Sequence, residues 1–147
     1  MKIYIDLCVY NRPFDDQSQP RIMLETLCFI IVMANVSSGD IKTVSSFALE
    51  YENRKNPKIE NRMVVADMLN VASEFVAYSK NIQERAEQLE DEGISGIDAL
   101  HFACAEIAQA EYFITCDDVL SKKIGKVNDL QVKTLTILEF INKEIFK

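Results

Sequence analysis

Residues 2–13, KIYIDLCVYNRP, decide how the rest of the chain is read. Ile3, Tyr4 and Ile5 form an unbroken strand-favouring run, as expected of a strand buried on both faces. Asp6 then sets one carboxylate at the strand's end, and Arg12-Pro13 imposes extended backbone, because the residue before a proline is kept out of the helical region. One carboxylate carries little weight alone. Its meaning depends on whether other strand and helix ends bring acidic residues to the same place.

Working outward, residues 2–6 read as a buried strand and 11–20 as a loop. From about Arg21, the positions Ile22, Met23, Leu27, Ile30, Ile31 and Ala34 recur at helical spacing, and Gly39 stands where a C-cap belongs. The far end of this helix is apolar nearly all round, which predicts cover on two sides. Residues 41–44 make a second strand, followed by Ser45 or Ser46 as the cap of a helix carrying Phe47, Leu49 and Glu50. Asn56-Pro57 predicts a cap and first-turn proline for the next helix, with Ile59, Met63, Ala66 and Leu69 inward. Residues 75–78 form a third strand, and Ser79 caps a helix with Ile82, Ala86 and Leu89 as its inner stripe. After Ser95-Gly96 a helix is marked by Ile97, Leu100, Ala103, Cys104 and Ile107, then a fourth strand covers 112–115 and Asp117 opens a short helix. A fifth strand at 132–135 leads into Thr136-Ile137-Leu138-Glu139, a capping-box pattern. Strands alternating with helices predict a parallel sheet covered on both faces. The expectation is an α/β fold, a three-layer α/β/α sandwich with a central, mostly parallel sheet of four to five strands, built as a single domain over 1–147.

Composition agrees with one folded core: 147 residues, 48% hydrophobic, 27% charged, 4 Gly and 3 Pro. The four cysteines, Cys8, Cys28, Cys104 and Cys116, contain no C-x-x-C pair and lie in apolar stretches, which predicts reduced thiols and no structural zinc site. With one histidine, His101, a centre built on imidazoles is excluded, so a divalent metal here would take oxygen ligands. His101 itself is expected to be buried and structural. The net charge of −7 argues against broad electrostatic binding to nucleic acid but leaves room for a local basic rim. Residues 1–6 lack the layout of a signal peptide and the apolar run 27–36 is shorter than the roughly 20 residues of a membrane span, so a cytoplasmic protein with a core or interface helix is expected.

In open α/β sheets ligands bind beyond the carboxyl ends of the strands, where the strand order reverses. Asp6 ends the first strand, Glu50 lies in the helix after the second, Asp98 is in the first turn of its helix, and Asp117 follows the fourth strand. Taken singly, Asp6 is a turn residue, Glu50 a solvated charge, Asp98 a carboxylate favoured by the helix dipole and Asp117 or Asp118 an N-cap. As a set they would share one sheet edge. Two like charges about 4 Å apart repel by roughly 4 kcal/mol at an effective dielectric near 20, a cost that a divalent cation removes. All-oxygen ligation suits Mg²⁺ or Mn²⁺.

On these residues the chain resembles the PIN-domain nucleases, the family that includes VapC-type toxins of toxin–antitoxin modules. The resemblance rests on Asp6, Glu50, the segment from Gly96 through Asp98-Ala99-Leu100-His101 to Ala103, and Phe113-Ile114-Thr115-Cys116-Asp117-Asp118, and it covers essentially the whole chain. It implies a metal-dependent endoribonuclease in which Asp6, Glu50, Asp98 and Asp117 hold Mg²⁺ or Mn²⁺, with Asp118 as the alternate for Asp117 and the Thr115 hydroxyl supporting the cluster. The implied substrate is single-stranded or loop RNA, cut to leave a 5′-phosphate and a 3′-hydroxyl. Arg12, Lys122 and Lys123 are candidates for RNA phosphate contacts, with Arg54 and Lys55 behind them. Many family members carry Thr and then Ser or Asn after the first aspartate; here Leu7 and Cys8 follow, which predicts loss of polar support beside Asp6. The helix around 27–36 is expected to form a homodimer interface or to receive an antitoxin. The alternative is a catalytically weak PIN-like module that binds protein or RNA. A haloacid-dehalogenase-like phosphatase wants an aspartate where Cys8 stands, and a receiver domain wants an acidic pair and a strand-end lysine, so both fit less well.

Overall fold

A computed structural model describes residues 1–147. Five strands, β1 (Lys2–Ile5), β2 (Lys42–Ser46), β3 (Glu74–Val76), β4 (Tyr112–Thr115) and β5 (Lys133–Thr136), form one parallel sheet in the order β3-β2-β1-β4-β5. Ile3 pairs with Thr43 on one side and with Tyr112 on the other, so the first strand lies at the centre. Ile3, Tyr4, Ile5, Phe113 and Ile114 have no exposed surface, as a sheet covered on both faces requires. The strand order reverses between β1 and β4, which places the crevice of such a sheet at their carboxyl ends.

The helices are α1 (Leu7–Asn11), α2 (Pro20–Ser38), α3 (Phe47–Arg54), α4 (Ile59–Leu69), α5 (Lys80–Asp91), α6 (Gly96–Ile107), α7 (Asp118–Ile124) and α8 (Ile137–Phe140), the last running on as a π-helical turn over Ile141–Ile145. They complete a three-layer α/β/α arrangement. α5 packs along α6, whose start also meets α3, while α2 leans on α1 and α8. Ser46, Ser79 and Thr136 cap their helices through side-chain oxygens, the last in a full capping box. Gly39 closes α2 in the left-handed conformation at φ 90°, where a Cβ would be strained.

Three local expectations fail. Residues 7–11 wind into α1 directly after Asp6, and Arg12–Phe14 adds a 3-10 turn, so the loop starts only at Asp15. In α4 the inner residues are Val65 and Leu69, whereas Ile59 and Met63 are 60% and 62% exposed, because the helix packs mainly on α1 and α3 and leaves its apolar side open. The far end of α2 is not covered all round. Cys28, Phe29 and Val32 face inward while Met23, Leu24, Leu27 and Ile30 are about half exposed. Taken whole, α2 is long and apolar enough by length and composition to cross a membrane, but its packed stripe carries Glu25, fully buried and bonded to Arg12, which ties this helix into the globular core.

Candidate active site

Asp6 leaves β1 at the N-cap of α1, yet its side chain caps nothing. It is 6% exposed, and its Oδ2 accepts hydrogen bonds from Thr115 Oγ1 at 2.9 Å and Cys8 Sγ at 3.3 Å. Thr115 ends β4, and its Oγ1 also accepts the Asp117 backbone N–H at 3.0 Å, which locks the two strand ends together. The predicted support of the cluster by Thr115 is therefore present in the geometry. The expected loss of support beside Asp6 is corrected: the Cys8 thiol does that work. It also lies 3.5 Å from Thr115 Oγ1 and accepts the Cys116 N–H at 3.4 Å. Cys116, burial and the neighbouring Asp6 all push the Cys8 thiol well up, so it stays protonated and able to donate.

Asp98 stands in the first turn of α6 and makes no side-chain hydrogen bond. Burial pushes its carboxyl up to about 6, and the charges of Asp6, Glu52 and Asp117 push the same way against the pull of His101. Burial likewise raises Asp6, with His101, Thr115 and Cys8 opposing. Asp117 caps α7, its Oδ1 accepting from Val119 N–H at 3.0 Å and Leu120 N–H at 3.1 Å, so the ordinary N-cap role is real and leaves Oδ2 free. The alternate, Asp118, is elsewhere engaged: Arg21 grips it through two nitrogens at 2.6 and 2.9 Å.

Glu50 is not at this cluster. It is exposed on the far side of α3, lining a cleft of about 370 Å³ with Asn53, Arg54, Arg62 and Met63. The carboxylate that α3 brings in is Glu52, whose Oε1 accepts from His101 Nε2 at 2.8 Å. Asp6, Glu52 and His101 each place a ligand-type atom within 4.8 Å of the others. The helix period carries the signal that sequence reasoning missed. Glu52 follows the buried Ala48 by four residues and Leu49 by three, which puts it on their face, whereas Glu50 turns away.

His101 is fully buried, as expected, with Nδ1 2.7 Å from Tyr4 Oη. Of the basic candidates, Arg12 is committed to Glu25 and Asp15, each at 3.0 Å. Lys122 and Lys123 are exposed in the last turn of α7 and form no ion pair, and Arg54 is exposed beside the Glu50 cleft. None of Asp6, Glu52, Asp98 and Asp117 pairs with a lysine or arginine. Asp6 Oδ1, Glu52 Oε2, Asp117 Oδ2 and both oxygens of Asp98 remain available to a ligand. The carboxylate oxygens come from the ends of two strands and from two helices, a donor set of the type that suits a hard cation.

No curated protein matches the chain. Among solved structures it is similar to a chain of the crystal structure of VapBC2 from Rickettsia felis bound to a DNA fragment from their promoter, with a TM-score of 0.57 and 15% identity over 92% of this chain and 98% of that one. At that identity the likeness is one of fold. The family model for the PIN domain matches residues 4–126, a span that opens in β1 and runs through Asp6, Glu52, Asp98 and Asp117 to the end of α7. The chain therefore belongs to the PIN-domain family.

Proposed function

We propose that the protein is a metal-dependent endoribonuclease that hydrolyses RNA phosphodiester bonds, with Asp6, Glu52, Asp98 and Asp117 holding Mg²⁺ or Mn²⁺. One observation carries this reading: four carboxylates from four elements meet at the sheet's switch point without a lysine or arginine partner. Burial first, and then the unneutralised charges of Asp6, Glu52 and Asp117, raise the carboxyl of Asp98 to about 6, a cost to the metal-free fold. The donors are oxygens, and the one nitrogen nearby, His101 Nε2, is occupied by Glu52, so the set fits Mg²⁺ or Mn²⁺ better than a softer metal. Such a cation, when bound, lowers the pKa of a water and neutralises charge gathering on the phosphate.

The chain's own residues set the geometry. Thr115 and Cys8 fix Asp6, the α7 backbone fixes Asp117, and His101 fixes Glu52. Lys122 and Lys123 on α7 are suited to contact RNA phosphates near Asp117; Arg12, neutralised by Glu25 and Asp15, is withdrawn from that role. Single-stranded or loop RNA is the substrate that suits an open sheet edge. Family membership supports a toxin role within a toxin–antitoxin module, and the exposed face of α2 formed by Met23, Leu24, Leu27 and Ile30 supports a homodimer or an antitoxin contact there.

The test is cleavage of labelled single-stranded and structured RNAs with Mn²⁺, beside Asp98→Asn and an EDTA control. Metal-dependent cleavage that disappears in the variant is expected. Identical traces from wild type and variant would turn the reading to a binding module.

A further inference from the structure

Behind the candidate site a line of buried polar groups runs from the sheet to Glu52. Ser46 Oγ accepts the Leu49 N–H at 3.1 Å and lies 2.7 Å from Tyr4 Oη. Tyr4 Oη lies 2.7 Å from His101 Nδ1, and His101 Nε2 lies 2.8 Å from Glu52 Oε1. Ser46, Tyr4 and His101 have no exposed surface, so water cannot replace these partners.

The polarity of the line follows from its far end. An ionised carboxylate only accepts, so Nε2 carries a hydrogen and donates it to Glu52. A neutral ring then accepts the Tyr4 O–H at Nδ1 and a charged ring donates to Tyr4 Oη there; Nε2 donates to Glu52 in both. The ring cannot turn to offer Nε2 elsewhere without breaking the bond to Tyr4, and Tyr4 is itself stacked on Phe113 at 5.5 Å between ring centres.

We propose that His101 is a positioning residue and not a metal ligand: it holds Glu52 in one rotamer with Oε2 free, and the Tyr4 hydroxyl holds the ring that does so. The atoms of Asp6, Glu52 and His101 gathered within 4.8 Å are those of a histidine-bearing metal site, but a protonated Nε2 has no lone pair to give. Glu52 needs this hold because its side chain is 35% exposed on a helix surface and would otherwise sample several rotamers in water. Partners of this kind behind a ligand typically set metal affinity by 10–100-fold. The inference rests on the metal reading above for its consequence, though not for the hydrogen-bond geometry.

Two measurements on the full chain test it. With a single histidine in the sequence, a long-range ¹H–¹⁵N spectrum of the metal-free protein reads its tautomer without ambiguity. A protonated Nε2 is expected, and a bare Nε2 overturns the proposal. Mn²⁺ titration by calorimetry then compares wild type, His101→Gln, His101→Phe and Tyr4→Phe. His101→Gln keeps an amide donor near the position of Nε2 and should bind within about threefold of wild type, while His101→Phe should bind at least tenfold more weakly. Tyr4→Phe, which deletes one oxygen and preserves the ring packing, should weaken binding by a few fold. Equal binding by wild type and His101→Phe sinks the positioning role, and equal loss in His101→Gln and His101→Phe makes His101 a ligand and sinks it as well. If wild type itself binds no Mn²⁺, the metal reading falls together with the positioning role.

Discussion

Asp117 and Asp118 are neighbours in sequence and belong to two acidic groups that the protein treats in opposite ways. Asp118 joins Glu25 and Asp15 in a group threaded with guanidinium: Arg21 grips Asp118 and lies 3.5 Å from Glu25, and Arg12 binds Glu25 and Asp15 at 3.0 Å. Asp117 joins Asp6, Glu52 and Asp98, a group with no guanidinium or ammonium partner. The titration behaviour follows. Arg21 holds the Asp118 carboxyl below the usual range, while burial and like charges push Asp98 up to about 6. The chain has 16 lysines and arginines, so the second group lacks counter-charges by placement and not by shortage. A carboxylate group matched inside the protein serves the fold; one left unmatched is open to a cation from outside.

The sharpest way to break this contrast is Asp98→Asn. Cleavage should fall by about 100-fold or more, the usual scale for removing one preorganised charge from a catalytic site. The same variant should melt higher than wild type in EDTA, because the repulsion with Asp6, Glu52 and Asp117 is relieved. Initial rates with Mn²⁺ and thermal melts in EDTA check both, and a variant that melts lower would erase the distinction between the groups. In the matched group, Glu25→Gln leaves two arginines without their shared anion and should cost about 3 kcal/mol in urea unfolding, the low end for breaking a buried pair because Arg21 reaches solvent. Its Mn²⁺ affinity should not move.

A smaller difference separates two glutamates on one helix. Glu52→Gln should weaken Mn²⁺ binding at least as much as His101→Phe, by about tenfold or more, whereas Glu50→Gln, on the exposed far face of α3, should bind like wild type in the same calorimetric titration. The reverse result would return Glu50 to the site. The smallest effect is in pH. Between the ordinary carboxyl value of 3.8 and about 6, folded Asp98 holds a proton that the unfolded chain has released, so metal-free stability should fall as pH rises through that window and level off above it. Asp6, raised by burial, adds the same sign. Melting wild type and Asp98→Asn in parallel isolates the Asp98 contribution. A gap between them that closes with rising pH would contradict it.

The sheet and three of the four carboxylates were legible because their signals are local. Residues 2–5 and 112–115 are short apolar runs with an aspartate just beyond, and Thr136 through Glu139 spells its own cap. What escaped depended on choosing between faces. Glu50 and Glu52 are two residues apart, and only the burial of Ala48 and Leu49 says which one faces the sheet edge. In α4 the apolar residues occupy more than one stripe, so Ile59 and Met63 looked as plausible inside as Val65 does in fact. In the sequence Cys8 counts as lost polar support, because a thiol's ability to donate matters only once Asp6 Oδ2 lies 3.3 Å away. α1 was hidden by Val9 and Tyr10, residues that favour strands and here pack as a helical turn against α2.

The central place of β1 bears on how the protein comes into being. Ile5 finds its partner Ile114 only after most of the chain has been made, and Asp6 meets Asp98 and Asp117 later than it meets anything from β2. A ribosome therefore extrudes the first carboxylate long before the last, and chains that stop short of β4 carry Asp6 without the strand end that completes its surroundings. Unfinished translation products lack the assembled carboxylate group by topology.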